Sequence, residues 1–202
     1  MRQLVLGTHN KKKGAELESM LAPFSIIVKT LQEYENPIEV IENGSTFAEN
    51  AQKKAREQAL HLNEWVLGED SGLCVVALDH RPGIFSARYS GEGATDDKNN
   101  KKLLEALLGI PAEKRQAYYV CHMSLASPSG EIILDFEEHC CGLIETTPRG
   151  DGGFGYDPLF KIAEYHSTFG ELGAPVKKIL SHRGRAMRKL LKQLQVLGWF
   201  SG

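Results

Sequence analysis

The sequence lacks any long hydrophobic run, which argues against a membrane protein. No stretch reaches the roughly 18 consecutive apolar residues that a membrane-spanning helix requires. Residues 4–7 form a first apolar run, but it is too short for the core of a signal peptide. We therefore expect a cytoplasmic protein that does not associate with membranes.

Cysteine is scarce, with four residues in the chain and no CxxC pair. Cys140 and Cys141 are adjacent, whereas Cys74 and Cys121 stand far apart in the sequence. This spacing gives little support to a disulfide framework or a structural zinc site. Reduced thiols, as in a cytoplasmic protein, are the expected state.

Strong net charge, linkers and internal repeats are absent as well. The net charge is −2 over 202 residues, and no Pro/Gly/Ser-rich linker divides the chain. We therefore expect no nucleic-acid polymer as a partner, and any phosphate binding must come from local clusters. We predict a single domain over residues 1–202, with room for two closely joined lobes.

What the sequence does contain is a mixture of strand and helix patterns along its whole length. Thr46 and Glu49 have the form of a capping box, which predicts a helix in which Asn50 and Lys54 share one face. Pro-Ser-Gly at residues 128–130 predicts a hairpin turn. Apolar patterns predict strands at 3–7, 26–28, 65–67, 73–78, 117–126 and 131–144, and further helices at 95–108 and 185–197. The hairpin favours an α/β or α+β fold with a mixed sheet.

A basic segment follows the first predicted strand and precedes a short helix. We predict a loop that consists of Thr8, His9, Asn10, Lys11, Lys12 and Lys13. Backbone N–H groups at the start of a helix bind anions, and the lysines strengthen the attraction for a polyphosphate. The segment is no Walker A loop, because GxxxxGK[ST] is missing. A solvated basic turn is the alternative interpretation.

Two adjacent acids, Glu69 and Asp70, directly follow an apolar strand. Ligands bind at strand ends in α/β sheets, and Mg²⁺ accepts one or two carboxylates while it keeps waters and phosphate oxygens. Glu42 is a third candidate ligand, and Lys54 could neutralise charge beside the metal. We interpret residues 69–72 as a polar turn. The alternative is that this turn is purely structural, since Asp-Ser-Gly is favourable turn chemistry.

A glycine-rich segment at residues 152–158 contains an aromatic ring and an acid. Phe154 could stack on a flat base, an interaction worth about 1–3 kcal/mol in single-stranded nucleic-acid complexes. Asp157 can accept a hydrogen bond. Ser-His-Arg-Gly at residues 181–184 precedes the last predicted helix. Arg183 is a hydrogen-bond donor that suits the 6-keto group of a purine base. The alternative for residues 152–158 is a structural loop. The alternative for residues 181–184 is an ordinary helix start.

Six short motifs are spread over nearly the whole chain. They are Thr8-x-Asn10-x-x-Lys13, Thr46-Phe47-x-Glu49-Asn50-Ala51-x-x-Lys54-Ala55, Asp70-Ser71-Gly72-Leu73, Pro82-Gly83 with Ser86-Ala87-Arg88-Tyr89, Gly152-Gly153-Phe154-Gly155-Tyr156-Asp157-Pro158, and Ser181-His182-Arg183-Gly184. In this order they resemble the motifs of the inosine triphosphate pyrophosphatase family, also called the Ham1-like or dITP/XTP pyrophosphatases.

The resemblance implies a two-lobed α/β fold, in which helices flank a long mixed central β-sheet and the active-site cleft lies between the lobes. It also implies a homodimer and a Mg²⁺ cofactor. The implied reaction is the hydrolysis of dITP, ITP or XTP to the nucleoside monophosphate and pyrophosphate, which cleanses the nucleotide pool.

Residue roles follow from the same resemblance. Asp70 would be the general base, and Lys54 would offset charge beside it. The metal ligands would be Glu42, Glu69 and Asp70. The phosphate-binding residues would be Thr8, His9, Asn10, Lys11, Lys12, Lys13 and Ser71. The base-binding residues would be Phe154, Gly155, Tyr156, Asp157, Lys177, His182 and Arg183.

Three positions depart from the family pattern. His9 stands in place of glycine, Glu69 in place of aspartate, and residues 175–178 in place of an acidic stretch. Two alternatives to a pyrophosphatase stay open. One is a nucleotide-binding sensor with little turnover, and the other is a phosphatase that removes only the γ-phosphate.

Overall fold

The fold is described by a computed structural model that covers residues 2–200, apart from the side chain of Lys12. The strands are β1 (Arg2–Leu6), β2 (Ile26–Thr30), β3 (Val66–Val75), β4 (Gln116–Ala126), β5 (Ile132–Ile144), β6 (Phe160–Ile162) and β7 (Ser167–Thr168). The α-helices are α1 (Lys11–Leu21), α2 (Phe47–Leu62), α3 (Asp96–Ala106), α4 (Ala174–Leu180) and α5 (His182–Val196). Within this part of the chain, every helix is too short or too polar to span a lipid bilayer.

The strands form one mixed sheet in the order β2-β1-β3-β4-β5-β6-β7. β1 runs parallel to β2 and β3, because long crossover connections through α1 and α2 separate these strands in sequence. β5, β6 and β7 pair in antiparallel fashion. The expected α/β fold with a mixed sheet flanked by helices is therefore confirmed.

The chain divides into two compact units. The first unit consists of residues up to Asp70, Cys121–Glu137 and the chain from Ala186 onward. The second consists of Ser71–Val120 and Glu138–Arg185. Each unit has its own buried apolar core.

The core of the first unit lies on both faces of its strands. One cluster joins β1, β3 and β4 to α1 and α5, with Leu17 and Leu190 among its fully buried members. Another joins β1 and β3 to α2 through small side chains, such as Ala55 and Ala59. The helices α1 and α2 therefore pack on opposite faces of the same strands. Their polar side chains reach β3 from both sides.

The start of α2 follows the predicted capping pattern. Thr46 Oγ1 accepts a hydrogen bond from the backbone N–H of Glu49 at 3.1 Å, and the Glu49 carboxylate accepts one from Ser45 N at 2.6 Å. The predicted hairpin is also confirmed, since Ser127 N donates to Glu131 O at 2.9 Å between β4 and β5. Both features depend on local side-chain and turn chemistry.

The predicted polar turn at residues 69–72 is wrong. These residues continue one strand, β3, from Val66 to Val75. Partly buried carboxylates in a strand are costly unless they are paired. Here Glu69 pairs with a lysine of α1 and Asp70 with a lysine of α2, so tertiary contacts override the local turn preference.

Two helix boundaries also differ from the prediction. α1 begins at Lys11, so the lysines predicted to lie in a loop form its first turn. α5 begins at His182 rather than at 185, because Ser181 Oγ accepts a hydrogen bond from Gly184 N at 3.1 Å and caps the helix there. The short helix α4, which carries Lys177, was not predicted.

Candidate active site

Glu69 and Asp70 extend from β3 in opposite directions, because successive strand residues face opposite sides of a sheet. Glu69 is buried, with 7% of its surface exposed, and its Oε1 accepts a hydrogen bond from Lys13 Nζ of α1 at 2.8 Å. Asp70 faces α2. The two neighbouring carboxylates therefore belong to different surroundings.

Asp70 is the centre of a group that we call the carboxylate cluster, formed by Glu42, Asn50, Lys54 and Asp70. Lys54 Nζ donates to Asp70 Oδ1 at 3.0 Å and to Glu42 Oε2 at 3.2 Å. Burial raises the pKa of the Asp70 carboxyl above its ordinary value, Lys54 opposes this shift, and nearby Glu42 adds to it. A raised pKa makes Asp70 a stronger base than an exposed aspartate.

The basic segment lies in the same unit, at the start of α1. Asn10 Oδ1 accepts from the backbone N–H of Lys13 at 3.3 Å, so Asn10 caps α1, and Asn10 N donates to Thr8 Oγ1 at 3.2 Å. The His9 carbonyl accepts from Gln32 Nε2 at 2.6 Å. These contacts hold the segment at the positive end of the helix dipole, where phosphate groups bind.

A second group, which we call the aromatic cluster, lies in the second unit and consists of Phe154, Asp157 and Lys177. The Phe154 ring is 72% exposed, and Lys177 Nζ lies 4.2 Å from its centroid. Asp157 is buried; its Oδ2 pairs with Lys177 and accepts a hydrogen bond from Phe154 N at 2.8 Å. Gly153 has φ of +82°, and a Cβ there would collide with the Asp157 carboxylate. The cluster thus places an exposed ring beside a buried ion pair.

The predicted residues Gly155 and Tyr156 hold this loop in place. Gly155 N donates to Asp96 Oδ2 at 2.7 Å, and the Gly155 carbonyl accepts from Asn100 Nδ2 at 2.9 Å. The Tyr156 side chain is buried, and its hydroxyl donates to Ser86 O at 2.8 Å. In this structure the Tyr156 side chain is therefore occupied with packing, and the exposed surface comes from Phe154.

His182 and Arg183 occupy the first turn of α5. The His182 ring stacks on the buried Tyr119 ring, with centroids 4.7 Å apart and planes 12° apart. Burial lowers the pKa of the Arg183 guanidinium to about 10, so it stays protonated at neutral pH. A partly desolvated cation of this kind gains strongly from a hydrogen-bond acceptor.

The profile of the Ham1 family matches residues 4–193. The chain belongs to the Ham1 family. It is 52% identical over 194 residues to a dITP/XTP pyrophosphatase of Rhodopirellula baltica, which covers 96% of this chain and 93% of that protein. It is 48% identical over 197 residues to a dITP/XTP pyrophosphatase of Syntrophobacter fumaroxidans, which covers 97% of this chain and 84% of that one.

Solved structures of the Ham1 family share the fold. A HAM1 protein from Coxiella burnetii gives a TM-score of 0.88 at 37% identity and covers 96% of this chain and 99% of its own. The Staphylococcus aureus Ham1 protein gives a TM-score of 0.88 at 36% identity and covers 98% of this chain and 99% of its own. The predicted family and fold are therefore both confirmed.

The structure brings together two of the three carboxylates predicted as metal ligands. Within residues 2–200, no group of three or more His, Cys, Asp or Glu side chains is arranged to hold a metal. Glu42 and Asp70 meet at Lys54, whereas Glu69 pairs with Lys13 on the other face of β3. Mg²⁺ needs only one or two carboxylates. Glu42 and Asp70 therefore satisfy the chemistry of a Mg²⁺ site.

Sequence analysis did not assign three residues that support the predicted site residues. Asn50 contacts Asp70, Gln32 holds the His9 carbonyl, and Tyr119 stacks on His182. Asn50 carried a signal, since it shares a helix face with Lys54. Gln32 and Tyr119 lack such a signal, because their partners lie far away in the sequence.

Ser71, a predicted phosphate-binding residue that follows Asp70 in β3, is half-buried.

Proposed function

We propose that this Ham1-family protein hydrolyses dITP, ITP and XTP to the nucleoside monophosphate and pyrophosphate, and so removes non-standard purines from the nucleotide pool. The observation that carries the proposal is the carboxylate cluster, in which a largely buried Asp70 pairs with Lys54 and lies beside Glu42. Relatives that match over nearly the whole chain are named dITP/XTP pyrophosphatases, which supports the same reaction. Those names do not favour a sensor without turnover.

The reaction is an attack of water on the α-phosphorus, with pyrophosphate as the leaving group. Asp70 accepts the proton of the attacking water, which an ionised carboxylate can do. Lys13 and the backbone N–H groups at the start of α1 stabilise the charge that develops on pyrophosphate. Lys54 limits repulsion between Glu42 and Asp70 while the polyanion is bound.

Mg²⁺ is the proposed cofactor, and Glu42 and Asp70 are the residues that would hold it. When bound, it neutralises phosphate charge and lowers the pKa of coordinated water. Glu69 has its own cation in Lys13, with an Oε1–Nζ distance of 2.8 Å. We therefore place Glu69 outside the metal site and assign it to the orientation of Lys13.

Recognition of the base is assigned to the aromatic cluster together with the start of α5. Phe154 stacks on the purine, and its ring is held by the Asp157–Lys177 pair. His182 and Arg183 provide hydrogen-bond donors that suit a 6-keto oxygen. Arg183 carries only donors, so it has no acceptor for the 6-amino group of adenine. This asymmetry favours inosine and xanthosine triphosphates over ATP.

A turnover assay with product identification tests the function. The wild-type protein is incubated with Mg²⁺ and dITP, ITP, XTP, ATP or dGTP, and products are separated by anion-exchange chromatography. Monophosphate and pyrophosphate from the 6-keto, non-standard purines are the expected products. Diphosphate and phosphate would establish a γ-phosphatase instead. Tight binding of dITP without either product would establish a sensor.

Removal of divalent cations is expected to lower the hydrolysis rate at least about 100-fold, because a bound metal contributes several kcal/mol of charge stabilisation. The rate of dITP hydrolysis is measured in EDTA and after addition of excess Mg²⁺. Circular dichroism in EDTA serves as the control for an intact fold. Unchanged turnover in EDTA would remove the metal from the proposal.

Replacing Arg183 with alanine is expected to lower the ratio of kcat/KM for dITP to that for ATP about 10-fold or more. A hydrogen bond to a charged group is worth about 1.5–3 kcal/mol, and only the 6-keto substrate can accept it. Arg185→Ala is the matched control, because Arg185 Nε donates to Leu180 O at 2.9 Å on the exposed side of the same helix. An unchanged ratio in Arg183→Ala would contradict the assignment.

The homodimer, which the family resemblance implies, and the cytoplasmic location, which the composition suggests, remain predictions. Light scattering coupled to size-exclusion chromatography tests the first. A mass near 22.4 kDa would indicate a monomer, and twice that mass a dimer.

A further inference from the structure

The side chain of Asn50 lies between two parts of the carboxylate cluster. It is 1% exposed, its Oδ1 accepts a hydrogen bond from Gly44 N at 2.8 Å, and its Nδ2 donates to Asp70 Oδ2 at 3.2 Å. Gly44 belongs to the segment that carries Glu42. One buried amide therefore contacts both Asp70 and the segment that supplies its neighbouring carboxylate.

The direction of the Asn50 amide is determined by its partners. A backbone N–H can only donate, so the amide oxygen must face Gly44. The amide NH₂ group must then face Asp70, whose carboxylate accepts. A carboxylate at position 50 could keep the contact with Gly44, but it would present an acceptor to Asp70. The site therefore requires an amide rather than any polar side chain of this size.

Both oxygens of Asp70 are held by α2. Asn50 Nδ2 donates to Oδ2, and Lys54 Nζ, one helical turn further, donates to Oδ1. Two donors on one rigid helix determine the plane of the carboxylate. A carboxylate has about four acceptor positions, so two remain for a water proton or a cation.

The geometry points to Asn50 as a positioning residue for hydrolysis: its amide orients the Asp70 carboxylate and ties it to the segment that carries Glu42. This assignment rests on the proposed role of Asp70 as the base. Asn50 acts on turnover through Asp70. A general base that is displaced by about 1 Å can lose about 100-fold in rate, so loss of this hydrogen bond has a measurable cost.

Asn50→Asp is the decisive variant, because it preserves shape and the contact with Gly44 while it replaces the amide donor to Asp70 with a second carboxyl group. We expect kcat for dITP with Mg²⁺ to fall at least about tenfold. We expect KM, and the Kd and stoichiometry of an uncleavable α,β-imido analogue of dITP, to stay within about threefold, because the phosphate and base contacts are unaffected. A kcat within twofold of the wild type overturns the assignment. A loss of binding stoichiometry in proportion to kcat also overturns it, since that result indicates a purely structural role.

Two further variants keep the result interpretable. Asn50→Ala removes the same donor without adding charge, and we expect a similar fall in kcat. Lys53→Ala is the matched control, because Lys53 Nζ donates to Asn43 Oδ1 at 2.8 Å and ties the same segment to α2 without contact to Asp70. We expect its kcat to stay within twofold. If Lys53→Ala lowers kcat as much as Asn50→Asp, segment tethering alone explains both and the assignment fails.

A double variant separates this inference from the proposed function. Asn50→Asp combined with Asp70→Asn exchanges the amide and the carboxylate and restores a hydrogen bond between them. If Asn50 acts through Asp70, its kcat equals that of Asp70→Asn alone within about twofold. A further tenfold fall shows an independent role and overturns the inference. Asp70→Asn with wild-type turnover instead refutes Asp70 as the base, and wild-type protein without pyrophosphate release refutes the function itself.

Discussion

Asp70→Asn is expected to lower kcat for dITP at least about 100-fold, the lower range for loss of a general base. The amide keeps the size of the side chain, and its oxygen can still accept from Lys54, but it cannot take a proton from water. Affinity for the uncleavable analogue, measured without Mg²⁺, is expected to change little, because Lys13, the start of α1 and Phe154 are untouched. Pyrophosphate release gives kcat, and calorimetry with the uncleavable analogue gives the affinity.

Glu69→Gln is the matched comparison for Asp70→Asn. Glu69 is the neighbouring acid, but it faces α1, and its glutamine still offers an acceptor to Lys13. We expect a loss of less than about tenfold, in keeping with a positioning hydrogen bond rather than the base. Equal losses in both variants would contradict the assignment of Asp70, and near-normal turnover in Asp70→Asn would remove it from its role.

Gly68→Ala is expected to destabilise the protein by about 1–3 kcal/mol or more, the cost of overpacking a closely fitted core. Gly68 lies in β3 just before the two acids, where β3 passes close to α2. A Cβ there would collide with the Ala51 carbonyl and lie 2.7 Å from Ala55 N, and both are backbone atoms of α2. Urea unfolding followed by circular dichroism measures the change.

Gly68→Ala is also expected to lower kcat by more than the loss of folded protein explains. To relieve the collision, β3 must move away from α2, and this movement separates Asp70 from Lys54 and Asn50. Gly173→Ala is the control: its Cβ would lie 3.7 Å from Pro175 Cδ, an ordinary contact, and only a helix cap changes. We expect the control to cost less than about 1 kcal/mol. A Gly68→Ala variant with wild-type stability and turnover would show that the strand and helix are not closely fitted.

Much of the fold could be predicted because its signals are local. The Thr46 cap and the hairpin turn at 128–130 depend on neighbours within a few residues. The family motifs also supplied the candidate site residues, since each motif is a short run of sequence. The prediction failed where distant residues decide the outcome. Asp-Ser-Gly favours a turn locally, yet β3 continues through it.

By itself, the sequence determined the Ham1 family and the mixed α/β fold, because motifs and apolar periodicity are properties of the residue order. It also supplied the candidate side chains for the chemistry. Only the tertiary structure decided that Glu69 pairs with Lys13 whereas Asp70 pairs with Lys54. Lys13 and Glu69 are 56 positions apart, and Asn50 and Asp70 are 20 apart. The packing of α1 and α2 on opposite faces of β3 brings each pair together. Buried charge is stable only beside such partners, so the fold, and not local preference, selects the residue that faces Glu42.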